Sequence, residues 1–463
     1  MLHTLEERII VKRSLADCFA YLRDFSTIEQ WDPSVVSANK LSPGPVALGC
    51  KYQLELKLFG SQHVTMHYTQ LALKEQELLV LQGHGVNFSA LDTMSFAALD
   101  ANTTEINYSA KLEFTGISQG ILFLLKPMLN RVGKNAAAGL KQALEVPAAP
   151  LPRLQNSIAD HLILPAVINF GRRGYFQQPR KSHASRMDGK IVAISGPTAG
   201  LGLSAACELA RLGATLILIG RDKVRLAHSA KEIMAFSGCA KDRLNFYEAD
   251  FSLLESTAKV ARQISADYPK IDVLINNAGA LFNEREVTNE GVERSLAVNF
   301  LAPMLLTKIL NPSLHKDSRV INVVSGGLYT QGLNISDMQY SEKPFNGSKA
   351  YARAKRALLT MSKHMETVAT VYNMHPGWAA TPGLAKSLPT FNKALRNQLR
   401  DGRMGADTMV WLASAPELAD YQHVRLWFDR QVHAEAVLPG TASTEQDIAS
   451  LRQWTSEALS QYL

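Results

Sequence analysis

The chain has 463 residues, 46% of them hydrophobic and 20% charged, and a formal charge of +7 from 49 basic and 42 acidic side chains. That length exceeds what a single core usually holds, so two or three domains are expected, and the apolar share excludes a disordered chain. The excess charge is local: Arg153 to Lys190 carries seven Lys or Arg against two acids. Such a run reads first as a solvated connection and second as a contact with an anionic membrane surface. It argues against nucleic acid, whose partners spread basic residues over a face.

The start of the chain carries Glu6 and Glu7 and no apolar run of leader length. The longest apolar runs, near Ile121 to Leu125 and Leu162 to Phe170, fall well short of the ~18 residues that span a bilayer. Cys18, Cys50, Cys207 and Cys239 follow neither C-x-x-C nor disulfide-framework spacing, which fits a reducing compartment. A cytoplasmic protein is expected, with peripheral membrane contact and oligomerisation left open.

Residues 1–148 alternate with period two. Tyr52, Leu54, Leu56 and Leu58 face one way and Gln53, Glu55 and Lys57 the other, and Ile106, Tyr108, Ala110, Leu112 and Phe114 repeat the pattern. Strands with one buried and one wet face make an antiparallel sheet that needs a cover. Ile121, Leu125, Met128, Val132, Ala136, Leu140 and Ala143 step by three or four and mark one stripe of a long helix, with Pro127 as a kink or first-turn residue. Together with Glu7-Arg8-Ile9-Ile10-Val11, Ser14 to Leu22 and Trp31-Asp32-Pro33, this region resembles the SRPBCC (polyketide cyclase or START-like) domains. The resemblance implies an α+β helix-grip fold with a cavity for a hydrophobic ligand. His63, His67 and His84 lack a third ligand at metal-binding spacing, so no metal is expected.

Residues 149–187 hold Pro150, Pro152, Pro165 and Pro179 with the basic run, and read as a basic linker. From residue 188 to 463 apolar strands (Thr215 to Ile219, Ile271 to Ile275, Val320 to Val324, Thr370 to Asn373) alternate with helical patterns, which predicts a doubly wound parallel sheet of Rossmann type. Its first strand, Ile191 to Ser195, runs into Gly196, Gly200, Leu201 and Gly202. Here Gly196 permits a tight turn, Gly200 lets backbone approach a pyrophosphate, and Gly202 lets helix pack on strand, while the helix-start amides meet phosphate charge. The helix over Leu203 to Leu212 ends at Gly213, where a left-handed cap is expected. At the end of the next strand Gly220 stands where an NAD site places an acid. Arg221 can fork two donors onto a 2′-phosphate, so NADP is favoured over NAD, with Asp222 as the counter-argument.

The glycine turn, Asp250-Phe251, Asn276-Asn277-Ala278-Gly279, Asn299, Ser325, Tyr351-x-x-x-Lys355 and Pro376-Gly377 stand in the order found in short-chain dehydrogenases/reductases, which residues 188 to 440 resemble. An ammonium ~4 Å from a phenol, at an effective dielectric of 20, supplies about 4 kcal/mol, enough to bring the phenol near neutrality. Lys355 one turn after Tyr351 is placed to do this. The resemblance implies Tyr351 as acid or base, Lys355 also on the nicotinamide ribose, Ser325 on the substrate carbonyl and Asn299 on a proton path. It also implies Asp250 on adenine, Asn277, Ala278 and Gly279 lining the cofactor cleft, Ser195 and Phe251 among the cofactor-binding residues, and Pro376, Gly377 and Thr381 at the nicotinamide end. Each has a plainer reading: Asn299 tying a helix to a loop, Ser325 as a strand-end cap, and Tyr351 with Lys355 as a surface pair. The 26 positions from Ser325 to Tyr351 are long for this family, and Asp337 to Phe345 are expected to build a loop beside the site.

The expectation is an NADP-dependent oxidoreductase interconverting a carbonyl and an alcohol on a lipophilic substrate, fused to a hydrophobic-ligand domain. The alternative is a non-catalytic lipid-binding or redox-sensing protein that uses the Rossmann domain as a scaffold.

Overall fold

The computed structural model describes residues 2–42, 46–59, 62–115, 119–145, 169–177, 186–418 and 426–463. The chain divides into two units, residues 1–149 with 180–183, and residues 150–179 with 184–463. Most of the basic run, together with Leu162 to Ile168, lies outside the described residues.

In the first unit seven strands follow the order β1-β7-β6-β5-β4-β3-β2: Leu2–Val11, Val35–Lys40, Lys51–Phe59, Gln62–Lys74, Leu78–His84, Phe88–Asp100 and Thr103–Phe114 as β1 to β7. All their pairings are antiparallel. The predicted alternation is the reason: Tyr52, Leu54, Leu56, Ile106, Tyr108 and Ala110 are all buried in one core. The helix Gln119–Leu144 supplies Ala136, Leu140 and Ala143 to that core and runs through Pro127, which therefore sits in the helix interior and not in its first turn. This is the helix-grip arrangement.

The core of this unit also holds a carboxyl group. Asp92 on β6 is 3% exposed, and Tyr108 donates to it at 2.6 Å. Burial pushes its pKa up from 3.8 to about 6, against the hydrogen bonds from Tyr108 and Tyr68. A raised carboxyl keeps its proton longer in the fold than in the unfolded chain. The stability it contributes is therefore full below pH 3.8 and is lost as pH rises to about 6. That gap of about two pH units corresponds to about 3 kcal/mol. Asp92→Asn, which can still accept from Tyr108, is expected to raise the stability of this unit near pH 7.5 by up to that amount and to flatten its dependence between pH 4 and 6. Hydrogen exchange of β6 and β7 across that range reads this out, and a variant that keeps the parent's slope would refute it.

The second unit is an eight-stranded sheet ordered β10-β9-β8-β11-β12-β13-β14-β15. Its strands β8 to β15 are Ile191–Ser195, Thr215–Gly220, Leu244–Glu248, Val273–Asn276, Arg319–Val323, Thr370–Met374, Leu426–Phe428 and Gln431–His433. Every pairing is parallel except β14 with β15. The strands carry continuous apolar runs because helices cover both faces, as two separate buried clusters show. Strand β11 starts two residues later than the apolar run Ile271 to Ile275 predicts. Asp272 lies within that run, and its carboxylate accepts from Ile191 N and Lys190 Nζ, both at 3.0 Å. The order reverses between β8 and β11, and such a switch point opens a crevice at the carboxyl ends of the strands. The glycine turn after β8 and the segment after β11 both lie there.

Candidate active site

At the end of β8 the chain turns through Gly196 (φ +69°) and enters the helix Gly200–Arg211 at Gly200 (φ +55°). A Cβ on Gly202 would stand 2.1 Å from the Gly196 carbonyl oxygen, so only glycine closes this turn. No side chain caps the helix at Ala199, which leaves its first amides to serve an anion. These residues fit a dinucleotide phosphate. Ser195 sits beneath the turn, 3% exposed, its hydroxyl accepting from Asn277 N and Ala278 N at 3.0 Å each. The Asn277 amide donates back to Ser195 O and Gly196 O. Ser195 and Asn277 thus stitch two loops together and position the crevice from behind. Thr381 caps the helix Pro382–Ser387 and lies against Gly200, within 3.2 Å of where its Cβ would be.

Beyond β9, Arg221 is exposed and makes no ion pair among the described residues. It lines a cleft of about 350 Å³ with Glu248, Ala249, Asp250, Ser256 and Lys259. Asp222 does not pair with Arg221. Its carboxylate caps the helix Lys223–Ser237 by accepting from Val224 N and Arg225 N. Asp250 lies at the rim of the same cleft and accepts from Ser252 N and Oγ, while Phe251 is buried in the core.

The helix Gly347–Ser362, capped by Asn346 at Lys349 N, carries Tyr351 and Lys355 one turn apart. Tyr351 is half-buried, and Lys355 is 2% exposed with Nζ donating to Val323 O at 2.8 Å. The ammonium stands 5.9 Å from the centre of the Tyr351 ring. Burial raises the phenol above its usual range, and only a hydrogen bond with Ser325 draws it back. Burial also lowers Lys355 to about 7. Desolvation is thus the largest influence on both residues, and it works against the ionised phenol and the ammonium alike. Ser325, at the end of β12, accepts from Gly327 N as a local cap while facing Tyr351. Asn299 is fully buried in a π-helical turn, Ala297–Leu301. Its amide donates to Ala280 O and Ser295 O and its oxygen accepts from Ala280 N, so its side chain ties helix to loop. Gly279 joins this group, since a Cβ there would meet Asn299 Oδ1 at 3.0 Å and Lys355 Nζ at 3.2 Å.

The segment between Ser325 and Tyr351 is tied to the loop after β11. Tyr340 is buried, Arg285 donates to Tyr340 O, and the Gln339 side chain accepts from Glu293 N.

One part of the site has no local signature in the sequence. Phe170, Gly171 and the helix Arg172–Gln177, which proline content assigns to the linker, pack on this second unit. Trp378 N and Arg400 Nε donate to Phe170 O, and Arg172 N donates to Gln398 O. Arg400 is 1% exposed and forks onto Asp429 at 2.5 and 2.8 Å. Gly377 (φ +71°) lies beneath, where a Cβ would stand 2.5 Å from Phe170 O. Nothing in the neighbourhood of residues 170, 400 or 429 predicts that they meet, since each contact spans hundreds of positions or joins separate loops.

Residues 190–390 match the family model "short chain dehydrogenase", and residues 3–145 match "Polyketide cyclase / dehydrase and lipid transport". The chain is 34% identical over 264 residues to human "Dehydrogenase/reductase SDR family member 12", covering 56% of this chain and 82% of that one. Mouse "Retinol dehydrogenase 14" is 34% identical over 256 residues (50% and 75%). Mouse "Polyprenol dehydrogenase" is 31% identical over 255 residues (50% and 73%).

Proposed function

The chain belongs to the short-chain dehydrogenase/reductase family, whose members are carbonyl and alcohol oxidoreductases, and from that premise we propose that it is an NADP-dependent enzyme acting on a lipophilic carbonyl or alcohol. The observation that carries the proposal is the convergence of Tyr351, Ser325 and Lys355 at the strand ends, beside a glycine turn with uncapped helix amides. The cofactor, when bound, supplies or accepts the hydride. Gly196, Gly200, Leu201 and Gly202 would hold its pyrophosphate. Lys355 would hold the nicotinamide ribose, and Pro376, Gly377 and Thr381 would close that end. Tyr351 passes the proton to or from the substrate oxygen while Ser325 holds that oxygen in place. A phenol raised by burial stays protonated at neutral pH, which suits it to the acid role in carbonyl reduction. Asn299 acts through the Gly279–Ala280 loop as a positioning residue.

Support for an apolar substrate comes from relatives named for retinol and polyprenol, and from the ring cluster of Phe170, Tyr329 and Trp378, whose Phe170 edge stands beside Gly326, the residue after Ser325. The N-terminal unit would carry a hydrophobic ligand, as the lipid-transport model it matches would have it. No helix among the described residues is long and apolar enough to cross a membrane. Peripheral membrane contact through the basic run, and self-association, are separate readings without a supporting contact.

NADP is preferred because Arg221 is exposed with no ion pair among the described residues, while the Asp222 carboxylate turns to the first amides of its own helix instead of pairing with it. A hydrogen bond to a charged group contributes about 1.5–3 kcal/mol, and exposure places Arg221 at the low end of that range. Arg221→Ala is therefore expected to raise KM for NADPH roughly tenfold and to leave KM for NADH nearly unchanged, in initial-rate assays with an apolar aldehyde. A parent enzyme that uses NADH and NADPH equally would overturn the cofactor assignment. A parent that oxidises neither with any carbonyl would overturn the enzymatic one.

A further inference from the structure

We propose that Phe170, contributed by a segment upstream of the dinucleotide fold, forms a wall of the substrate pocket and selects carbonyls attached to flat, unsaturated or aromatic carbon. This rests on the oxidoreductase reading above. The ring of Phe170 reaches the residue that follows Ser325. Its Cε2 lies 2.9 Å from the position a Cβ on Gly326 would take, next to Ser325. Tyr329 lies nearly parallel to it (22°) with centroids 6.4 Å apart, and Trp378 meets it edge-on at 5.9 Å. Tyr329 and Trp378, packed against the Phe170 ring, are half-buried, and the ring keeps an edge against Gly326, so the three together form the aromatic side of the space beside Ser325.

The placement is built in. The Phe170 carbonyl is held by Trp378 N at 2.8 Å and by Arg400 Nε at 2.9 Å, and the Asn169 carbonyl by Arg400 Nη2 at 2.9 Å. Those anchors are main-chain atoms of the segment, so they hold it independently of the ring. Glycine at 326 and at 377 leaves the space that the ring and its carbonyl occupy. His375, stacked on Phe428 and edge-on to Phe170 at 4.8 Å, is kept neutral by burial, so the wall stays uncharged. Flat π systems gain from offset or edge-on contact with such rings, whereas a saturated chain gains only the area it buries.

The test compares trans-cinnamaldehyde with nonanal at saturating NADPH in the parent, Phe170→Leu and Gly326→Ala. Phe170→Leu keeps apolar volume and every main-chain anchor, and Gly326→Ala pushes the ring aside without removing it. Each is expected to lower the ratio of kcat/KM for cinnamaldehyde to that for nonanal by roughly five- to tenfold, with the NADPH dissociation constant, read by its fluorescence, unchanged. If one variant fails to fold, the other still decides. An unchanged ratio, or a dissociation constant that moves in step with kcat/KM, would overturn the wall and leave the oxidoreductase reading intact. A parent inactive on both aldehydes would remove that reading, and the wall with it.

Discussion

Tyr351→Phe is expected to lower kcat by at least about 10³-fold while leaving NADPH affinity within about twofold of the parent. General acid catalysis by a positioned side chain contributes about 10²–10⁴-fold, and no other phenol or imidazole described at the strand ends can substitute. Tyr329 is committed to Ala434 O, and His375 is buried and neutral. The substitution removes one oxygen from a half-buried ring whose hydrogen-bond partner, Ser325, keeps its contact with Gly327 N, so the fold has little to lose. Single-turnover reduction separates chemistry from binding, and a variant that retains the parent's rate would end the assignment of Tyr351. Ser325→Ala is the companion measurement. In the proposed mechanism the hydroxyl holds the substrate oxygen, and it also lowers the phenol's pKa, so its loss raises that pKa further and moves the basic limb of the pH profile for reduction to higher pH, alongside the drop in kcat.

Arg400→Met is expected to destabilise the second unit by about 3–5 kcal/mol, because it leaves the Asp429 carboxylate buried and unpaired. The side chains are 1% and 4% exposed, and the guanidinium also satisfies the carbonyls of Asn169 and Phe170. Arg400→Met combined with Asp429→Leu removes both charges and should recover a large part of that loss, since a buried pair replaced by apolar groups is often neutral. The recovery stays incomplete because the Asn169 carbonyl loses its Arg400 donor and the Phe170 carbonyl keeps only Trp378 N. Chemical denaturation of parent, single and double variants measures both effects. A single variant within 1 kcal/mol of the parent would show that the pair contributes nothing beyond packing. The single variant should also free the Phe170 segment, so its selectivity between flat and saturated aldehydes should drift in the direction expected for Phe170→Leu.

What the residues themselves determined was whatever depends on neighbours a few positions away. Period-two runs such as Tyr52 to Leu56 and Ile106 to Ala110 became buried sheet faces because alternation is a property of an extended chain, whatever its partner. Gly196, Gly200 and Gly202 specified the nucleotide turn because positive φ and close approach admit no side chain there. Tyr351 and Lys355 shared a helix face because residues four apart do so. The tertiary structure decided the rest. It committed the side chains of Asn299 and Ser195 to loop stitching, and it set burial against the ionised forms of Tyr351 and Lys355, because desolvation depends on everything packed around a group and has no signature in spacing. It likewise brought Phe170, Arg400 and Asp429 together from a proline-flanked segment and two loops. Contacts of that range are set by the closure of the whole sheet, so they become visible only once the chain has folded around them.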